Sequence, residues 1–264
     1  MMNRKLNSGG ERLSAFVLKL IALVTMLIDH VGYLFFPHAP LLRFIGRCAF
    51  PIYCFLLVEG FFHTRRFSAY LGRMLIFSAV SEVCYDLAFS GTAVDWSDQN
   101  VFFTLSLGLV ALWCVDHIDA SLTPRSLPLS ALAQLAALIA VGMAAWAIGS
   151  DYDCIGILYV AAFWYARRLR EGHPALSRAL PWLVFTLVFL YMPFRYRAIS
   201  GVAAYVGWME RLFWIYAGTF LPLALVERYN GQRGPDSRPL QWGFYLFYPV
   251  HLLILAGIKI AVLP

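Results

Sequence analysis

The sequence predicts an all-α fold, a polytopic transmembrane helical bundle of about nine spans (eight to ten) with a cytoplasmic N-terminus. Three observations lead there: too few charges to clothe a soluble domain, apolar blocks of bilayer length, and basic residues gathered in alternate loops.

Of 264 residues, 61% are hydrophobic and 14% charged, where a soluble domain carries about a quarter charged residues. The mean hydropathy of +0.68 agrees. Blocks long enough to cross a bilayer must be helices, because an isolated strand would leave its backbone groups unpaired in lipid. The expected spans are 14–36, 41–62, 68–90, 101–118, 127–149, 153–169, 178–192, 211–227 and 240–262. The short segment 198–209 reads either as a re-entrant piece or as a tenth span. Met1 to Leu13 is polar and basic, and the first apolar block runs on to Phe36, too long for the apolar region of a cleavable signal. The five cysteines form no CxxC pair and read as small core residues. No repeat or linker divides the chain, so a single domain over 1–264 is expected.

Orientation follows from loop charge. Arg4, Lys5, Arg12 and Lys19 precede the first span, and Arg65, Arg66 and Arg73 follow the second. Arg167, Arg168, Arg170 and Arg178 follow the sixth, and Arg228, Arg233 and Arg238 the eighth. Opposite loops carry Asp95, Asp98, Asp151 and Asp153, while Arg195 and Arg197 run against the trend. The net charge of +6 is therefore a topology signal, with no nucleic-acid partner implied.

An ionised side chain at a helix centre costs on the order of 3 kcal/mol, which makes buried examples functional candidates. The first span holds Asp29 and His30, and a histidine there can exchange a proton near neutrality. A structural interhelical hydrogen bond is the plainer reading. Arg43 and Arg47, four apart, either anchor to headgroups or balance carboxylates; Glu59 and His63, also four apart, read as a pair. His63, Arg65, Arg66 and Arg73 form a basic patch suited to phosphate. Glu82 and Asp86 share one face of the third span, where like charges at this spacing perturb each other. Pro249 predicts a kink beside His251 in the last span. His38, in an outer loop, rivals His30 as the acid/base group. No metal-ligand spacing, P-loop or GxSxG is present in the sequence.

LKLIALVTMLIDHVG, LRFIGRCAFPIYCFLLVEGFFHTRR, SEVCYDLAF with NVFFTLSLGL, and FYLFYPVHLLIL together resemble the TraX family, most clearly over 18–110 and 241–254. The resemblance implies an acyltransferase of the bacterial inner membrane that uses acetyl-CoA and no metal. It implies a pilin N-terminus or an envelope glycan as acceptor. It matches Asp29–His30 to the family's DH motif, with His30 as general base or acetyl carrier and Asp29 orienting it, and puts Arg47 and Glu82 in the reaction chamber. Arg65, Arg66, Arg73 and His63 would meet the CoA phosphates, an inference from charge and sidedness. Related lysosomal-type acetyltransferases carry the reactive histidine after the first helix, which fits His38 instead. A proton-coupled transporter running on Asp29, Glu82, Asp86 and His251 is the alternative. Oligomeric state stays open.

Overall fold

The computed structural model describes residues 12–123 and 126–262, with the side chains of 194–212 left aside. Arg4, Lys5 and the side chains of Arg195, Arg197 and 198–209 therefore lie outside the described ones. The helices are α1 (Ala15–Phe35), α2 (Pro40–Gly46), α3 (Ala49–His63), α4 (Phe67–Phe89), α5 (Val101–Leu122) and α6 (Leu127–Ala147). They continue as α7 (Asp153–Leu169), α8 (Pro174–Ala217), α9 (Leu221–Val226) after a 3-10 turn, and α10 (Arg238–Val262).

Among the described residues, seven segments are long and apolar enough to cross a bilayer: Ala15–Phe35, Pro40–His63, Phe67–Phe89, Val101–Leu122, Leu127–Ala147, Pro174–Pro193 and Arg238–Val262. Two expected spans fall short. At 17 residues, α7 is about 26 Å long and compensates by being walled in by protein along most of its length. The other is the shorter apolar helix Phe213–Val226, which the 3-10 turn at Gly218–Phe220 interrupts.

Two local features shape the site. The second span divides at Arg47–Cys48 into α2 and α3, and Arg43 of α2 and Arg47 at its C-terminal cap both face inward. The helical stretch α8 also folds back on itself: Phe189 touches Phe213 at 5.1 Å and Trp182 meets Phe220 at 6.3 Å between centroids. A straight helix would separate the first pair by about 36 Å.

One face of the bundle gathers the basic loops. There the chain before α1 pairs with the loop after α9, Leu13 N–H donating to Arg228 O and Ala15 N–H to Gln232 O, and Arg167 meets Glu59. The opposite face joins loop 90–100 to the α6–α7 turn through Gln99 and Ser150. α10 ends on that face, where Lys259 Nζ donates to Ala88 O at 2.9 Å. The core lies between α3, α5, α7 and the first half of α8, around Phe50, Leu109, Val160 and Phe185. Leu132, Leu135 and Ile139 of α6 face outward, as lipid contact demands.

Candidate active site

Asp29 and His30 diverge because adjacent helical residues point about 100° apart. Asp29 turns to α2: Arg43 Nη1 donates to its Oδ2 at 2.6 Å, and Arg47 Nη2 stands 3.5 Å from the same oxygen. The two arginines thus balance a buried carboxylate, settling between the two readings of their spacing. Gly46 is what permits this approach, because a Cβ there would collide with the Cα, Cβ and Oδ1 of Asp29. Arg47 Nη1 also donates to the Tyr152 hydroxyl at 3.1 Å, and Tyr152 stacks on Phe50 at 3.5 Å. Asp29 Oδ1 and Arg47 Nε are buried with no hydrogen-bond partner among the described residues. An acceptor and a donor left open in one ion-pair cluster are costly for the fold and apt for a polar ligand group.

His30 turns the other way, to α10. Its Nδ1 is 2.7 Å from Nε2 of His251, and the two rings meet edge to edge with planes within 4° of parallel. His251 Nδ1 lies 2.7 Å from the Phe247 carbonyl oxygen. A carbonyl only accepts, so His251 carries its proton on Nδ1 and offers a lone pair at Nε2. In the neutral pair His30 must then donate from Nδ1, which leaves its own Nε2 as the basic nitrogen. The tautomer follows from the hydrogen-bond geometry.

A cleft of about 450 Å³ opens at the basic face and runs up beside α1 toward this pair. Lys19, His63, Arg65, Arg73 and Arg233 line its outer part, and Met26, Met74, Phe102, Leu105 and Tyr248 its depth. Arg66 is exposed and outside this lining. From Ala15 to Met26, both on the wall, the rise along α1 is about 16 Å, and His30 stands one helical turn farther on. Tyr248 joins the two regions: it lines the cleft, and its ring lies 6.1 Å from His30 and 5.6 Å from His251.

Other candidates take different places. Glu59 pairs with Arg167 at 2.5 Å, and His63 donates from Nδ1 to the Glu59 backbone carbonyl at 2.7 Å, so the expected side-chain pair between them is replaced. Helix ends supply the reason: near the basic face an arginine of α7 is the stronger partner. Glu82 Oε2 accepts from the backbone and side-chain N–H of Asn100, and Asp86 Oδ2 accepts from Asp95 N–H at 2.8 Å. Both carboxylates hold loop 90–100, and their described bonds do not reach Arg47 or His30. His38 is exposed in the turn between α1 and α2. Asp151 is exposed in the turn between α6 and α7. Among the described residues no group of three or more His, Cys, Asp and Glu side chains could hold a metal ion.

Sequence reasoning overlooked Tyr152 and Tyr248 and gave Lys19 and Arg233 only a topological meaning. The spacing of Tyr248 and His251, three apart on one helix face, was the available signal for one of them.

A family model described as TraX protein matches residues 14–259. The chain is similar to the probable fimbrial assembly protein FimC, serogroup H1, of Dichelobacter nodosus, being 31% identical over 261 residues, 93% of this chain and 96% of that protein. It is also similar to an uncharacterized protein of Rickettsia prowazekii (strain Madrid E), 26% identical over 92 residues, 35% of this chain and 34% of that one. No solved structure matches.

Proposed function

The chain belongs to the TraX family, and from that premise we propose that it is an acetyl-CoA-dependent acetyltransferase of the bacterial inner membrane. It would take its donor at the basic face and acetylate an amine or hydroxyl near the other. The fimbrial assembly name of one relative favours an acceptor among pilus components, with an envelope glycan as the other class.

One observation carries the reading: the His251–His30 pair, closed by the Phe247 carbonyl, presents His30 Nε2 as a base. A thioester is already activated, so the protein must deprotonate the acceptor, position it and stabilise the oxyanion. In this reading His30 Nε2 takes the acceptor's proton as the new bond to the acetyl carbon forms. When the carbon–sulfur bond breaks, the same nitrogen returns the proton to the departing thiolate. His251 accepts from His30 Nδ1 throughout, holding the ring and favouring the imidazolium that forms transiently. Arg47, with its unengaged Nε, is the candidate for the oxyanion, and Asp29 and Tyr152 hold it. Lys19, Arg65, Arg73 and Arg233 suit the phosphates of the donor.

The test is purified protein with labelled acetyl-CoA, comparing wild type with His30→Ala and His38→Ala. Transfer or hydrolysis of label is expected in wild type and in His38→Ala, and neither in His30→Ala. Absence of CoA binding, transfer and hydrolysis in wild type overturns the activity. Loss only in His38→Ala moves the base to the outer turn.

A further inference from the structure

The deep end of the cleft is built more rigidly than a donor tunnel needs. Phe102 and Tyr248 both line it, and their rings meet edge to face at 5.2 Å and 89°. Both are almost wholly buried, at 9% and 4% exposure. The Tyr248 ring also meets the rings of His30 and His251 edge to face, at 6.1 and 5.6 Å. Tyr248 thus touches both the cleft and the histidine pair, and Phe102 packs on Tyr248.

Phe102 is also held from behind. Its N–H donates to Asn100 Oδ1 at 2.9 Å, and Asn100 is fully buried. The Asn100 amide is held in turn, donating to Ser78 O at 2.9 Å and to Glu82. A carboxylate and an amide therefore cap α5 and fix the backbone that carries the Phe102 ring. Phe77 packs on the same ring, 6.2 Å between centroids, and stacks on Tyr245 at 4.8 Å. Close packing of the Phe77, Phe102 and Tyr248 rings opposes the movement that a larger group would require.

We propose that Phe102 and Tyr248 form an acyl-size filter that admits the shortest acyl groups to His30, and that Glu82, through Asn100, is the positioning residue that keeps the filter closed. The inference rests on the acyl-transfer reading above. It gives Glu82 a role the reaction-chamber expectation did not.

The experiment measures kcat/KM for acetyl-CoA and butyryl-CoA in wild type, Phe102→Ala, Asn100→Ala and Val115→Ala. Val115 is a buried core residue of the same helix outside the cleft lining and controls for general loosening. Each methylene in an apolar pocket is worth roughly tenfold or more in discrimination. Butyryl carries two methylenes more than acetyl, so Phe102→Ala is expected to raise the butyryl-to-acetyl ratio by about a hundredfold, Asn100→Ala to raise it less, and Val115→Ala to leave it unchanged. An unchanged ratio in Phe102→Ala with acetyl transfer retained overturns the filter and leaves the acetyltransferase standing. An equal shift in Val115→Ala overturns the filter as well. A wild type that handles neither donor overturns both. If Phe102→Ala fails to fold, Phe102→Leu tests the same ring with less lost volume.

Discussion

At the residue scale, the chemistry turns on which nitrogen of His30 is basic, and His251 decides that through Phe247. Removing His251 leaves His30 free to change tautomer and rotamer. His251→Ala is therefore expected to lower kcat by about a hundredfold, the lower end of what a positioned acid–base group supplies. His251→Gln keeps a side-chain acceptor for His30 Nδ1 and should recover part of that loss. Equal activities for the two variants, measured with labelled acetyl-CoA, would show that His251 acts through packing alone. The Asp29–His30 pair was legible in the sequence as two ionisable groups in an apolar helix. That Asp29 serves the arginines rather than its neighbour was not, because the partner lies across a helix contact.

At the element scale, the break between α2 and α3 determines what the second span can do. Arg43 and Arg47 stay one helical turn apart, joined by the Arg47 N–H to Arg43 O bond at 3.0 Å, and reach the same oxygen of Asp29. Ending α2 at Gly46 lets the backbone press against Asp29 itself. Gly46→Ala would push a methyl group into Asp29, and overpacking of this kind costs about 1–3 kcal/mol. Lower thermal stability in detergent and loss of acetyl transfer are expected together. Gly72→Ala and Gly257→Ala, with nothing within 4 Å of the added carbon, should leave both intact. Equal behaviour of all three variants would remove the steric argument. The GRCAFP motif was legible as a motif, but its glycine had no evident purpose until the neighbouring helix was in place.

At the scale of the whole molecule, the two faces differ in charge as the loops predicted. The basic face holds the mouth of the cleft, and the opposite face holds loop 90–100 and Asp151. With native cysteines replaced, Ser97→Cys should react with a membrane-impermeant maleimide from outside the cell, with the outer membrane permeabilised. Ser237→Cys should react only in inverted vesicles. Both positions are exposed, and the reverse pattern would invert the topology and place the donor cleft outside.

The sequence by itself determined the all-α membrane class and the position of most spans, and it predicted which loops are basic, since apolar length and loop charge are local properties. It also marked the buried DH pair and the basic patch, because polarity inside an apolar block stands out wherever the block packs. Tertiary structure alone decided that His30 meets a histidine 221 positions away, that Glu82 reaches across to Asn100, and that Arg65 and Arg73 line the cleft while Arg66 does not. The physical reason is the bilayer. When lipid and core are equally apolar, a helix's hydrophobic pattern says little about which of its faces meets a neighbour. The contacts that build the site are the ones that packing alone selects.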